Sequence, residues 1–270
     1  MSGEKGVCVR LCGSVANLIQ VKIMIKRVSA ILLLLTFALL STGCSKSILY
    51  KEKAAPGITT PPAVVGGQGG CWWSARFRIA WPPESSPRWS MGLLLADMVV
   101  EPALLRFHDN IKFWRFHRRA MRDNTGHQFS FLFYSDSSVA SGIFKAIGDN
   151  QVLEELLARA LIDEVKVDDT SHPVRYKIEA TSDSHWSLTL QKAWPAFIMG
   201  ASAMWLGLIN QYVEEGESRD LDIDSLLERY DEVNKSVGNI WTKEGQHAFF
   251  HHLSAVFGYE PLIIKRKVRF

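Results

Sequence analysis

The chain has few cysteines and none of the short signatures that fix a reaction. Of its four cysteines, Cys8 and Cys12 lie ahead of Cys44, so only Cys71 remains in the later part and no disulfide framework is open to it. Beside Trp72 and Trp73 that thiol reads as a small buried hydrophobe rather than a redox group. G-x-S-x-G and H-E-x-x-H are absent, and the glycines at Gly66, Gly67, Gly69 and Gly70 have no following Lys-Ser/Thr pair, which excludes a phosphate-cradling loop. An excess of positive charge is lacking as well. Five of the 31 Lys and Arg and one of the 28 Asp and Glu precede Cys44, which leaves 26 against 27 afterwards. Nucleic acid is therefore not an expected partner, because displacing phosphate counterions needs a clear basic surplus. What is present is ordinary globular composition, 47% hydrophobic and 22% charged over 270 residues, enough for a sizeable core.

From Met24 the chain runs through Lys26 and Arg27, an uncharged apolar stretch from Val28 to Leu40, and then Ser41, Thr42, Gly43 and Cys44. A basic start, a short apolar run and small residues outline a signal peptide, expected to occupy residues 1–43 with translation starting at Met24. The run falls short of the roughly 20 apolar residues that cross a bilayer. Its ending, Leu40-Ser41-Thr42-Gly43-Cys44, resembles the lipobox of bacterial lipoproteins, with Ser41 where that pattern prefers Leu. The resemblance implies acyl chains on Cys44, enough of them for stable anchoring. With Ser45 next, it also implies an outer-membrane destination facing the periplasm.

Residues 44–70 are rich in Ala, Pro, Thr and Gly and read as a flexible tether, leaving 71–270 as a single domain. From Trp73 to Trp81, apolar residues alternate with Ser74, Arg76, Arg78 and Ala80, the period of a half-buried strand. Ser90 to Val100 predicts a helix ended by Pro102 or shortly after, Ile111–His117 and Gln128–Tyr134 predict two strands around a turn, Ser137–Ala160 a helix broken near Gly148-Asp149-Asn150, and Ile162–Val167 a strand. That order is β-α-β-β-α-β, so the expected class is α+β with a ferredoxin-like sheet unit. Alternation at Val174, Tyr176, Ile178 and Ala180 predicts an additional strand, followed by a helical C-terminal extension and a last edge strand over Leu262–Phe270. The uncharged stretch Ala193–Val213 reads as a buried helix starting near Pro195, with Ala196, Gly200, Ala203 and Gly207 packing on the sheet.

Trp114-Arg115-Phe116-His117-Arg118-Arg119-Ala120, then Gly126-His127-Gln128-Phe129-Ser130-Phe131, with Ala193-Trp194-Pro195 further on, resembles a group of uncharacterised bacterial lipoproteins. That resemblance implies a location in the envelope and no chemistry.

Four groups of side chains stand out as candidate sites. Strand alternation puts Arg76, Arg78, Arg115, His117 and Ser130 on one sheet face, a candidate surface for an anionic envelope component or partner protein. A second group, the basic and aromatic run of Arg106, His108, Lys112, Arg118, Arg119 and Arg122, shares Arg115 and His117 with that face. Glu244, His247 and His251 stack on one helix face and are the best metal candidate. With Phe249, Leu253 and Val256 on the core side, they are expected to form a solvated polar face, so no metal or other cofactor is expected. Asp97, inside an apolar run, reads as a carboxylate at the wet edge of a helix rather than a general acid or base. The reading these features favour is a lipid-anchored, non-enzymatic binding or assembly module of the envelope. An envelope hydrolase with an unrecognised site is the alternative.

Overall fold

A computed structural model of the chain describes residues 70–214 and 222–261. The expected signal peptide, the lipobox with Cys44, the tether and the strand expected at Leu262–Phe270 lie outside the described residues. The chain is α+β. Strands β1 (Cys71–Ile79), β2 (Phe113–Ala120), β3 (His127–Ser135) and β4 (Ile162–Val167) form one antiparallel sheet in the order β2-β3-β1-β4, the ferredoxin-like arrangement. Helices α1 (Ser90–Leu94) and α2 (Glu101–Phe107) lie between β1 and β2, and α3 (Ser137–Gly148) and α4 (Gln151–Ala158) between β3 and β4. The long helices α5 (Leu188–Glu214) and α6 (Ile223–Lys243) and the short α7 (His252–Val256) make up the C-terminal region.

The inner sheet face carries Trp73, Ala75, Phe77 and Ile79 from β1 and Phe129, Phe131 and Phe133 from β3, all buried with Leu93, Val99, Ile143 and Leu156 of the helices. Closing this face over helices removes enough apolar surface, at about 25 cal/mol per Å², to drive folding. On the edge strand β2, the Phe116 N–H would be left facing outward. Ser202 Oγ of α5 accepts it at 3.1 Å and itself donates to the Ile198 carbonyl, and Trp205 meets Phe116 edge-on, so α5 seals that edge. At the other edge, β4 is short and exposes Asp163, Glu164 and Lys166, which discourages pairing with another chain.

The helix expected to end at Pro102 or shortly after runs on to Phe107. It passes through a π-helical segment, Leu95–Val100, and continues as α2 with Pro102 in the first turn. Proline has no N–H for the Met98 carbonyl four residues back. Asn150 Nδ2 donates to that carbonyl at 2.9 Å, while its Oδ1 accepts from Leu153 N and caps α4. One side chain thus repairs the first helical layer and begins the second.

Several other expectations are corrected. Residues 174–177 form no strand: Val174 and Tyr176 are exposed, and the segment meets β1 through a backbone bond from Trp72 N to Arg175 O. Arg175 is half-buried, drawn toward the sheet by the Asp168 carboxylate. Helix α5 begins at Leu188, ahead of Pro195, and packs through Pro195, Ser202, Leu206, Ile209 and Val213. Its small-residue stripe, Ala196, Gly200, Ala203 and Gly207, faces away from the sheet, and nothing approaches Gly200 or Gly207. By length and composition α5 could cross a membrane, but it is joined to the sheet by the contacts just described. Leu253 and Val256 are not on a core side, since Val256 is 81% exposed.

Candidate functional site

The strand register resolves the outer face of the sheet into cross-strand rows. One row reads Lys166, Arg76, Ser130, His117, and the next Glu164, Arg78, Gln128, Arg119. The five residues expected on one face, Arg76, Arg78, Arg115, His117 and Ser130, do share it, because the period of two holds across β1, β2 and β3. Arg118, between His117 and Arg119, emerges on the helix side.

The face is neither fully open nor covered by the C-terminal helices. The segment 168–187 crosses part of it: Trp72 Nε1 donates to the Ile178 carbonyl at 2.8 Å, Tyr134 Oη to that of Tyr176 at 2.9 Å, and Arg115 Nη2 to that of Thr181 at 3.2 Å. Asp168 is the clasp. Its carboxylate accepts Ser74 N at 2.8 Å, Ser74 Oγ at 3.0 Å, Arg76 Nη2 at 2.7 Å and Arg175 Nη2. Arg76 and Arg115 are therefore half-buried and engaged, Ser130 is buried and takes a hydrogen bond from Gln128, and Arg78 and His117 are exposed.

Positive charge outweighs negative on this surface. Asp168 serves two arginines and Asp123 serves Arg119, whereas Arg115 and Lys166 have no carboxylate partner among the described residues. Arg115 is held below the usual guanidinium range by burial and then by the charge of Arg175. His117, although its outer surface is exposed, is lowered by partial desolvation against the sheet and then by the charges of Arg115 and Arg119. Arg76 Nε, Arg115 Nε and Thr181 Oγ1 are buried without a hydrogen-bond partner among the described residues. Such donors are costly to leave unmade.

At the end of the sheet nearest the β2–β3 turn lies a cleft of about 480 Å³ lined by Arg78, Ile79, Trp81, Pro83, Met121, Arg122, Asp123, Gly126, His127 and Asp163. His127 is 2% exposed, with Trp81 and Trp89 edge-on to its ring, and its buried Nδ1 has no hydrogen-bond partner among the described residues. Burial, then the nearby Arg118, depress it to about 4. Arg118 itself lies between the Trp89 and Trp205 rings, its carbon about 5 Å from each centroid, and donates to the Trp89 carbonyl. Cation–π contacts stand in for a carboxylate there, and burial lowers its pKa to about 10.

Other candidates are not assembled. Glu244, His247 and His251 are exposed, the two imidazoles stack at 5.0 Å, and no metal-holding group of three occurs among the described residues. Asp97 is 3% exposed, not at a wet edge. It accepts the Tyr230 hydroxyl from α6 while its Oδ1 is unpartnered, an arrangement that ties the π-helical segment to the C-terminal region. Cys71 is a buried free thiol accepting from Arg175 N.

No protein-family model matches the chain, and no curated protein matches it. Among solved structures, it is similar to the crystal structure of the tRNA dependent lantibiotic dehydratase MibB from Microbispora sp. 107891, at 21% identity and a TM-score of 0.36. That alignment covers 62% of this chain and 14% of the other, so this chain spans a small part of that protein's length. What fold and site together define is an α+β domain with a ferredoxin-like sheet, one face of it basic and half covered.

Proposed function

We infer that this chain is a lipid-anchored binding module of the bacterial cell envelope, recognising an anionic group of an envelope partner through the uncovered part of the basic sheet face. The lipobox-like sequence at Cys44 supports the anchor, and the motifs around Trp114–Ala120 and Gly126–Phe131 support a place among envelope lipoproteins. The observation that carries the binding reading is the surplus of positive charge on one sheet face, where exposed Arg78 and Lys166 lie in the cross-strand rows beside half-buried Arg76. Guanidinium groups held in fixed positions suit carboxylate or phosphate, and such a field speeds encounter with an anionic partner in a salt-dependent way.

The test separates anchor from face. Cys44→Ala abolishes lipid labelling, and labelling that survives it refutes the anchor. His117→Glu with Lys166→Glu, both exposed, leaves labelling and folding intact but weakens capture of the partner from solubilised envelopes, most at low salt. Capture that is unchanged at every salt concentration refutes the face.

A further inference from the structure

The cleft at the end of the sheet has charges that the fold does not use. Asp123 is taken by Arg119 and by the turn amides of Thr125 and Gly126. Arg122 lies 3.4 Å over the Trp81 ring and donates to the carbonyls of Trp81, Pro82, Pro83 and Ser85, which makes it the clamp that holds one wall. After these, the charged groups left in the lining are Arg78 and Asp163, and neither has a hydrogen-bond or ion-pair partner among the described residues. The two do not pair with each other either, although they line the same cleft.

The placement of Asp163 has a backbone cause. Between β1 and β4 the register passes from Arg78 opposite Glu164 to Ile79 opposite Ile162, so Asp163 is the extra residue of a β-bulge. A bulge re-aims a side chain out of the regular alternation. Here it takes a carboxylate off the plain strand edge and sets it in the lining with Arg78. The same lining holds the apolar side chains Ile79, Trp81 and Met121, with the imidazole of His127 buried beneath them.

One free cation, one free anion and an apolar lining match a molecule that carries the complementary set. We propose that this cleft binds a small zwitterion of the amino-acid or short-peptide type, Arg78 taking its carboxylate, Asp163 its ammonium and Trp81 with Met121 its apolar side chain. Its volume lies within the range of small-ligand sites. Because His127 stays neutral at ordinary pH, it adds no charge to bias the site toward simple anions. The proposal goes beyond the partner-binding reading. His117 and Lys166, which test that reading, do not line the cleft, so either can fail without the other.

The test is calorimetric titration of the full chain in detergent with the tripeptide Ala-Leu-Ala, its N-acetyl form, its C-terminal amide, and free leucine. Arg78→Gln and Asp163→Asn each weaken the tripeptide at least tenfold. Asp163→Asn leaves the weaker N-acetyl form unaffected, and Arg78→Gln leaves the weaker amide unaffected, since each ligand lacks the group that the replaced side chain would meet. Tripeptide binding more tightly than leucine assigns the site to peptides, and the reverse assigns it to free amino acids. Both replaced residues are exposed and unpartnered, so unfolding does not obscure the result. Absence of heat with all four ligands, or wild-type affinity in both variants, overturns the proposal.

Discussion

Asp168→Asn probes the clasp that decides how much of the sheet face is covered. The carboxylate takes four donors from three residues, including Arg76 at 2.7 Å and Ser74 N at 2.8 Å. Asparagine keeps the volume but has one acceptor oxygen, and its N–H₂ group, in either orientation, faces the guanidinium of Arg76 or of Arg175. A hydrogen bond to a charged group contributes about 1.5–3 kcal/mol when buried. The Asp168 and Arg76 side chains are 22% and 37% exposed, so solvent screens part of each pair. The expected loss is then about 2 kcal/mol rather than the full sum, or roughly 4–8 °C in Tm for a domain of this size. Urea unfolding of both chains at low and high salt reads it, with a smaller difference at high salt. A loss below about 0.5 kcal/mol would refute the view that Asp168 fastens the 168–187 segment.

Two further perturbations follow from the same geometry. Because His127 is depressed from 6.5 to about 4, the unfolded chain takes up a proton between those values that the folded chain refuses. Stability is therefore complete above about pH 6.5 and falls as pH drops toward 4, by up to about 3 kcal/mol. His127→Gln should flatten that slope in urea melts at pH 7 and 4.5, and an unchanged slope contradicts the assignment. Asn150→Ala removes the cap of α4 and the donor to the Met98 carbonyl, at a cost of about 2 kcal/mol. A loss under about 0.5 kcal/mol in the same assay would show that neither contact matters.

The sheet was legible because its signal is local. Alternation at Trp73, Phe77 and Ile79 located β1, Ile162–Val167 matched β4 residue for residue, and the break at Gly148-Asp149-Asn150 separates α3 from α4. The same rule placed Arg76, Arg78, Arg115, His117 and Ser130 on one face. It did not show that Arg76 is tied to Asp168, 92 residues away, or that segment 168–187 folds back over the strands. Pro102 read as a stop because its repair comes from Asn150, 52 residues from the carbonyl it satisfies. The apolar stretches of α5 and α7 signalled helix correctly but not which side is packed. Neither Gly200 nor Val256 carries information about what lies opposite. The cleft was missed for a related reason, since a β-bulge depends on pairing register, and nothing around Asp163 marks the extra residue.

The most direct test of the account is a photo-cross-linking residue placed at 117 on the sheet face and, separately, at 157 on the exposed side of α4. In intact cells the account predicts a discrete adduct from position 117, weakened by Lys166→Glu, and none from 157. An adduct from 157 with none from 117 would contradict it.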